Sequence, residues 1–149
     1  MVVSDVLKKS ARRVVTASAD MSVQKALALM DKEKAGVLVV VQDGRSVGIF
    51  STRSCVRLCF DKNPALFEGI SLGEAMTSKL ISASPDEETD TIMDMMLRSD
   101  IEHLPVIDND RLTGVVQIQD LMLERIQILE DELRSLKDYI EDLHEAGRD

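Results

Sequence analysis

Two cysteines, Cys55 and Cys59, stand one helical turn apart, a spacing that puts two thiols on one helix face where they can act as a redox pair. The pair is not Cys-x-x-Cys, and no neighbouring histidine is present in its helix to activate a thiol, so it lacks what redox catalysis needs. His103 and His144 lie in different units of the chain and complete no Cys/His cluster with zinc spacing. Acids are plentiful, but none is marked as one of a general acid/base pair. No catalytic constellation, catalytic cofactor or metal site is expected, and the chain does not read as an enzyme.

Charge narrows the partners. Eighteen Lys and Arg against 27 Asp and Glu give a net charge of −9, which repels phosphate backbones and anionic lipid, so neither nucleic acid nor a membrane surface is expected. Three Phe, one Tyr and no Trp leave few platforms on which bases could stack. The basic cluster Lys8, Lys9, Arg12 and Arg13 reads as a solvated face. No apolar run approaches the ~20 residues of a membrane span, and the first residues lack the basic start and apolar stretch of a secretory signal. A cytoplasmic protein is expected.

The elements that must position any site come from an internal repeat. Shifted by 66 residues, 14–54 aligns with 80–120 without a gap, and eight positions are identical, from Ala17/Ala83 to Gly48/Gly114. Two copies at that period fit a pair related by a pseudo-twofold axis better than a solenoid. Each copy reads strand, helix, strand, strand, helix, an α/β arrangement of β-α-β-β-α units. Val14–Thr16 and Leu80–Ser82 are expected as short first strands. Ser84, Pro85 and Glu87 look like the cap, first residue and capping box of a helix running to about Arg98. The apolar run Val37–Val41 fits a strand covered on both faces, followed by a hairpin turn at Gln42-Asp43-Gly44 and by Asp108-Asn109-Asp110 in the second copy. The expected organisation is a first repeat at 1–60, a connection at 61–69, a second repeat at 70–121 and an amphipathic helix at 122–149.

The duplicated spacing, with His103-Leu104-Pro105-Val106-Ile107-Asp108 followed by Gly114-Val115-Val116-Gln117-Ile118-Gln119-Asp120, resembles a tandem pair of cystathionine β-synthase (CBS) domains, here a stand-alone regulator of bacterial type. Copy one carries Val37–Val41 and Gly48-Ile49-Phe50-Ser51-Thr52-Arg53-Ser54 at equivalent places. The resemblance implies a regulatory module with two symmetry-related clefts for an adenosine-containing ligand: AMP, ADP, ATP, NAD or S-adenosylmethionine. The family motif is Gly-x-x-Ser/Thr-x-x-Asp, in which the hydroxyl and following amides face phosphate and the acid holds the ribose diol. The motif opens a helix, whose free amides and positive dipole end favour an anion. Copy two keeps the acid as Asp120 but has Gln117 at the hydroxyl position and Gln119 where a small residue is common. Copy one keeps Ser51 and has Arg53, but Ser54 replaces the acid. A serine lacks the charge-assisted strength of a carboxylate, so the Asp120 cleft is the favoured one.

Carried over residue by residue, that cleft would place Val15, Ala35 and Gly36 about the adenine with Val115 below it, Gln117, Gln119 and Asp120 along the sugar and phosphate, His103 near the phosphate and Arg13 at the mouth. A protonated His103 would make nucleotide affinity rise as pH falls from about 8 to 6. The second cleft would use Ile81, Ile101, Ile49, Ser51, Arg53 and Ser54. Asp120 is also readable as a plain N-cap of the C-terminal helix. The alternative for the whole protein is a dimerisation adaptor whose clefts have degenerated.

From Gln119 to Ala146 no Gly or Pro occurs, and Met122, Ile126, Leu129, Leu133, Leu136, Ile140 and Leu143 recur in steps of four and three. With Ile126, Leu133 and Ile140 at a and the others at d, this heptad seam favours a parallel coiled-coil homodimer. Arg125 would then face the partner's Glu130, and Glu132 the partner's Lys137. The competing expectation is a stripe folded back onto its own repeats. The protein that such a dimer would regulate is not legible in the sequence.

Overall fold

The structure, a computed structural model, describes residues 1–148; Asp149, the last residue of the expected 122–149 helix, lies outside them. Its elements are α1 (Val3–Ser10), β1 (Thr16–Ser18), α2 (Val23–Glu33), β2 (Val37–Gln42), β3 (Arg45–Ser51), α3 (Thr52–Asp61), a 3-10 turn (Pro64–Gly69), α4 (Leu72–Ala75), α5 (Thr89–Arg98), β4 (His103–Asp108), β5 (Arg111–Gln117) and α6 (Ile118–Ala146). In the first repeat β1 runs parallel to β2, joined through α2, and β2 pairs antiparallel with β3. In the second, β4 and β5 form the matching hairpin. Both hairpins turn on two residues with positive φ, Asp43 and Gly44 in one and Asn109 and Asp110 in the other, the backbone that a tight two-residue turn between twisted strands requires.

Three expected boundaries shift. The first strand occupies 16–18 instead of 14–16, in register with Val39–Val41. Leu80–Ser82 is not a strand: Ala83 alone bridges Val106, its amide bonded to the Pro105 carbonyl at 2.9 Å and its carbonyl to the Ile107 amide at 2.9 Å. The helix expected from Ser84 begins at Thr89. Its would-be first turn is held open by the N-terminus, because Val3 N–H donates to the Glu87 carbonyl at 2.9 Å and Ser4 N–H to the Pro85 carbonyl at 3.0 Å. Those bonds hold the 85–88 backbone to the N-terminal segment and favour an open turn over a helical one there.

The two repeats are interlocked. Val3 and Val6 of α1 are buried with Ile92, Met96, Leu104, Val106, Val116 and Leu121, in the core of the second repeat. Conversely Phe67 and Leu72, from the connection and α4, are buried with Val23, Met30, Leu38 and Phe50 in the first. Each repeat's leading helix therefore completes the core of the other, and the units of sequence are not the units of packing. A third cluster, Val37, Val39 and Val115 with Val14, Val41, Ile49 and Leu112 against it, joins the sheets face to face.

The crossing helices press on equivalent glycines, with unequal consequences for substitution. A Cβ at Gly48 would lie 2.6 Å from Met76 Sδ and 2.7 Å from the Thr77 carbonyl, whereas at Gly114 its three nearest neighbours would all be Leu7 side-chain atoms, the first at 2.9 Å. Thr77 is fixed by paired backbone hydrogen bonds to Ile49 (2.9 and 3.1 Å), while Leu7 is a side chain that can rotate. Gly48→Ala is expected to destabilise by about 1–3 kcal/mol, the scale of overpacking a well-packed site. Gly114→Ala is expected to cost clearly less, as read by denaturant midpoints of the two variants measured side by side.

Candidate functional site

Two clefts open where the repeats meet. The first, about 190 Å³, is lined by Arg12, Arg13, Val14, Val15, Glu33, Lys34, Ala35, Gly36 and Val37 from the first half of the chain and by Val115 and Gln117 from the second. Thus six of the nine residues expected there, Arg13, Val15, Ala35, Gly36, Val115 and Gln117, are brought together. Val15 is placed by the extended segment before β1, and Ala35 and Gly36 by the left-handed Lys34 that ends α2 and turns the chain into β2. Gln119 is exposed and lies outside the lining.

Asp120 stands behind this cleft. The helix opens at Ile118, with Gln117 in the capping position, so Asp120 falls in the first turn and is not the N-cap. Its carboxylate is nine-tenths buried and both oxygens are taken by one guanidinium: Arg12 Nε at 2.7 Å and Nη2 at 2.9 Å. That hydrogen-bonded partner holds Arg12 above the ordinary arginine range. The pair spans 108 residues of sequence. Arg12 carries no motif signal of its own, and a base within a short basic cluster is ordinarily a solvated one, so nothing in the sequence marks it as part of the site. The Ile118 amide donates to the Glu102 carbonyl at 3.0 Å, so one of the helix-opening amides is already committed.

His103 lines the second cleft instead of the first, although its ring borders both: a Cβ added to Gly36 would stand 3.7 Å from His103 Nε2. Burial pushes the imidazole below the ordinary histidine value, Glu102 opposing that shift and the positive charge of Arg12 adding to it. The folded state therefore binds fewer protons here than the unfolded state once pH drops below about 6.5, and stability is lost as pH falls through the interval between the two values. A His103→Gln protein is expected to show a shallower decline of Tm between pH 7 and about 5 than the wild type; parallel curves would show that other groups carry the acid sensitivity. The same burial moves any rise of nucleotide affinity through His103 protonation to lower pH than an ordinary histidine would give.

The second cleft, about 230 Å³, gathers Ile49, Ser51, Arg53, Ser54 and Ile101 of the expected set together with Thr52, Arg57, Thr77, Asp100, Glu102 and His103. Ile81 is exposed and not among them. Here Ser51, Ser54 and Arg53 are engaged by neighbouring groups. Ser51 and Ser54 cap α3 reciprocally, their hydroxyls 3.2 Å apart, and Arg53 spans the Asp100 carboxylate at 3.1 Å and Glu102 at 2.9 Å.

The helix that leaves the first cleft carries the apolar seam. Leu121 is buried at its root, where Lys9 pairs with Glu124 at 3.1 Å and Arg125 with Asp90 at 3.5 Å. Beyond it Met122, Ile126, Leu129, Leu133, Leu136, Ile140 and Leu143 are all 44–55% exposed, so the stripe does not fold back onto its own repeats.

Two repeats facing one another across a pseudo-twofold axis, β-α-β-β-α in the first and the same order with a single bridging residue, Ala83, in place of the first strand in the second, with a cleft at each side of the junction, define a tandem cleft-forming module. The family model for the CBS domain matches residues 3–61 and again 72–126, and the chain belongs to that family. Among its relatives, the CBS domain-containing protein CBSX3, mitochondrial, of Arabidopsis thaliana is 28% identical over 148 residues, covering 93% of this chain and 71% of that one. Among solved structures, the CBS-domain containing protein ATU1752 from Agrobacterium tumefaciens is 32% identical with a TM-score of 0.77, over 84% of this chain and 99% of the other. The CBS domain pair of protein MJ0100, solved in complex with 5′-methylthioadenosine and S-adenosyl-L-methionine, is 25% identical with a TM-score of 0.70, over 87% and 98%. Among the described residues, no helix is long and apolar enough to cross a membrane, and no group of three His, Cys, Asp or Glu is placed to hold a metal ion.

Proposed function

We propose that this protein is a regulatory sensor that binds an adenosine-containing nucleotide in the first cleft and signals through a homodimer joined by α6. The observation that carries the reading is the composition of that cleft. Apolar Val15, Ala35 and Val115 offer walls for a base, Gly36 lets it approach the backbone, and Arg12, Arg13 and Lys34 against Glu33 in the lining and Asp120 on Arg12 leave an excess of one positive charge for phosphate. Asp120, held by Arg12 of the lining, is assigned as the acceptor for the ribose hydroxyls once Arg12 moves aside. The complex of the MJ0100 pair with two adenosine compounds, neither of which carries a phosphate, supports the adenosine part of this reading; the phosphate part rests on the charges of the cleft. His103 and Gln119 are assigned peripheral parts, at the back wall and the outer edge. The second cleft, whose Ser51, Arg53 and Ser54 are spent on internal hydrogen bonds, is assigned the weaker binding.

In this reading residues 1–60 and 70–121 are the two sensing repeats, 61–69 connects them, and 122–149 carries the signal to a protein partner. Neither nucleic acid nor membrane is a partner. Free Cys55 and Cys59 suit the reducing cytoplasm. The chemistry assigned is binding without catalysis. Thermal unfolding with AMP, ATP, NAD and S-adenosylmethionine tests the proposal: a bound ligand at about 100 Kd adds about 2.7 kcal/mol to stability and raises Tm. No shift with any of the four would leave a dimerisation adaptor as the better description.

A further inference from the structure

We infer that the Arg12–Asp120 pair is a lock that makes the first cleft select nucleoside phosphates over neutral or cationic nucleosides. The inference rests on the proposed use of this cleft by an adenosine ligand and adds what that ligand must carry. Asp120 has no carboxylate oxygen free of Arg12, with bonds of 2.7 and 2.9 Å to the two nitrogens of a guanidinium fork. Asp120 is nine-tenths buried and outside the cleft lining while Arg12 is within it, so a ribose diol reaching that carboxylate from the cleft has to move the fork aside, and a bidentate pair of this kind is among the stronger hydrogen-bonded contacts in proteins. Whether the displacement is compensated depends on the other end of the ligand. A phosphate entering the same cleft gives the displaced Arg12 a new anion, so one charge-assisted pair is exchanged for two sets of contacts. A neutral nucleoside leaves Arg12 without an anion, and a sulfonium nucleoside adds a second positive charge beside Arg12, Arg13 and Lys34.

The remaining charges sharpen this requirement. Glu33, the acid in the lining, is already paired with Arg13 at 3.2 Å, so it does not compensate Arg12. The device is confined to one cleft: under the 66-residue shift Arg12 corresponds to Ser78 and Asp120 to Ser54, so neither half of the lock recurs. The lock also ties two distant segments, the linker between α1 and β1 and the first turn of α6. A phosphate-bearing ligand that opens it loosens the root of the helix that carries the seam.

Isothermal titration of the full chain with AMP, adenosine and 5′-methylthioadenosine tests the lock in wild type, Arg12→Gln and Arg12→Lys. Opening the lock is compensated only by a phosphate that takes up Arg12, so wild type is expected to prefer AMP over adenosine by about tenfold or more. In Arg12→Gln the preference should fall to about threefold or less, with adenosine and 5′-methylthioadenosine binding more tightly than to wild type. Arg12→Lys keeps the charge without the fork and should also bind adenosine more tightly, which secures the test if the Gln variant folds poorly. Adenosine affinity unchanged in both variants, whether AMP weakens or not, would make Arg12 a simple phosphate contact or a structural partner and overturn the lock while leaving the nucleotide reading intact. Absence of binding of all three compounds to all three proteins would overturn the reading and the lock together.

Discussion

Leu129→Glu combined with Leu136→Glu is expected to abolish the proposed α6 dimer and leave a monomer. Both leucines occupy d positions of the seam and are 48% and 55% exposed on a single chain, so the substitutions disturb no intramolecular core. Glutamate is a good helix former, and helicity at the root of α6, held by Leu121 and the Glu124 and Arg125 pairs, should persist. In a dimer, however, four carboxylates would be forced into a seam where each faces its own copy, desolvated and repelling. Seven exposed apolar residues on one helix face form the kind of continuous stripe that marks an interaction surface. The charges favour parallel pairing, since Glu132 then meets Lys137 of the partner, while an antiparallel pair centred near Leu133 brings the two Glu132 side chains together. Arg125 already reaches Asp90 of its own chain at 3.5 Å, so its pairing with the partner's Glu130 competes with that contact and should contribute little. Light scattering decides the matter. A double mutant that remains dimeric would move the interface to another face, and α3, which buries none of its residues and leaves Phe60 92% exposed, would be the one to examine.

Asp120→Ala is expected to weaken AMP binding by about 1.5–3 kcal/mol, the range for hydrogen bonds to a charged group, or roughly 10- to 150-fold in Kd. The loss should fall toward the lower end for AMP, because removing the carboxylate also frees Arg12 for the phosphate. Stability has to be followed in parallel, since the same substitution strips a partly buried guanidinium of its bidentate partner and the first turn of α6 of its acid. Asp120→Asn, which retains the shape and one acceptor, separates the two effects. Calorimetry that finds AMP affinity unchanged in a folded Asp120→Ala protein would remove Asp120 from the site.

Most of the strand and helix order was legible because the repeat supplies two readings of each element. The unbroken run Val37–Val41 and the turns at Asp43-Gly44 and Asn109-Asp110 are local signals, set by side-chain type and by tolerance of positive φ. The walls of the first cleft, Val15, Ala35, Gly36 and Val115, were legible through the family resemblance, which carried each of them over by its place in the repeat, and the folded chain brings them together. The errors lie where a distant segment intervened. Ser84-Pro85-Asp86-Glu87 has every local mark of a helix start, yet the Pro85 and Glu87 carbonyls are taken by Ser4 and Val3, more than 80 residues earlier. Local propensity of that kind yields when a hydrogen bond from elsewhere satisfies the same group. The exchange of leading helices, α1 into the second core and Leu72 into the first, is equally invisible in sequence, because an apolar face specifies burial and not the surface that provides it. Asp120 makes the point most directly. Composition and motif marked it as an acid at a helix opening; only the folded chain brought Arg12 across 108 residues to hold both its oxygens, and that contact decides how a ligand could use it.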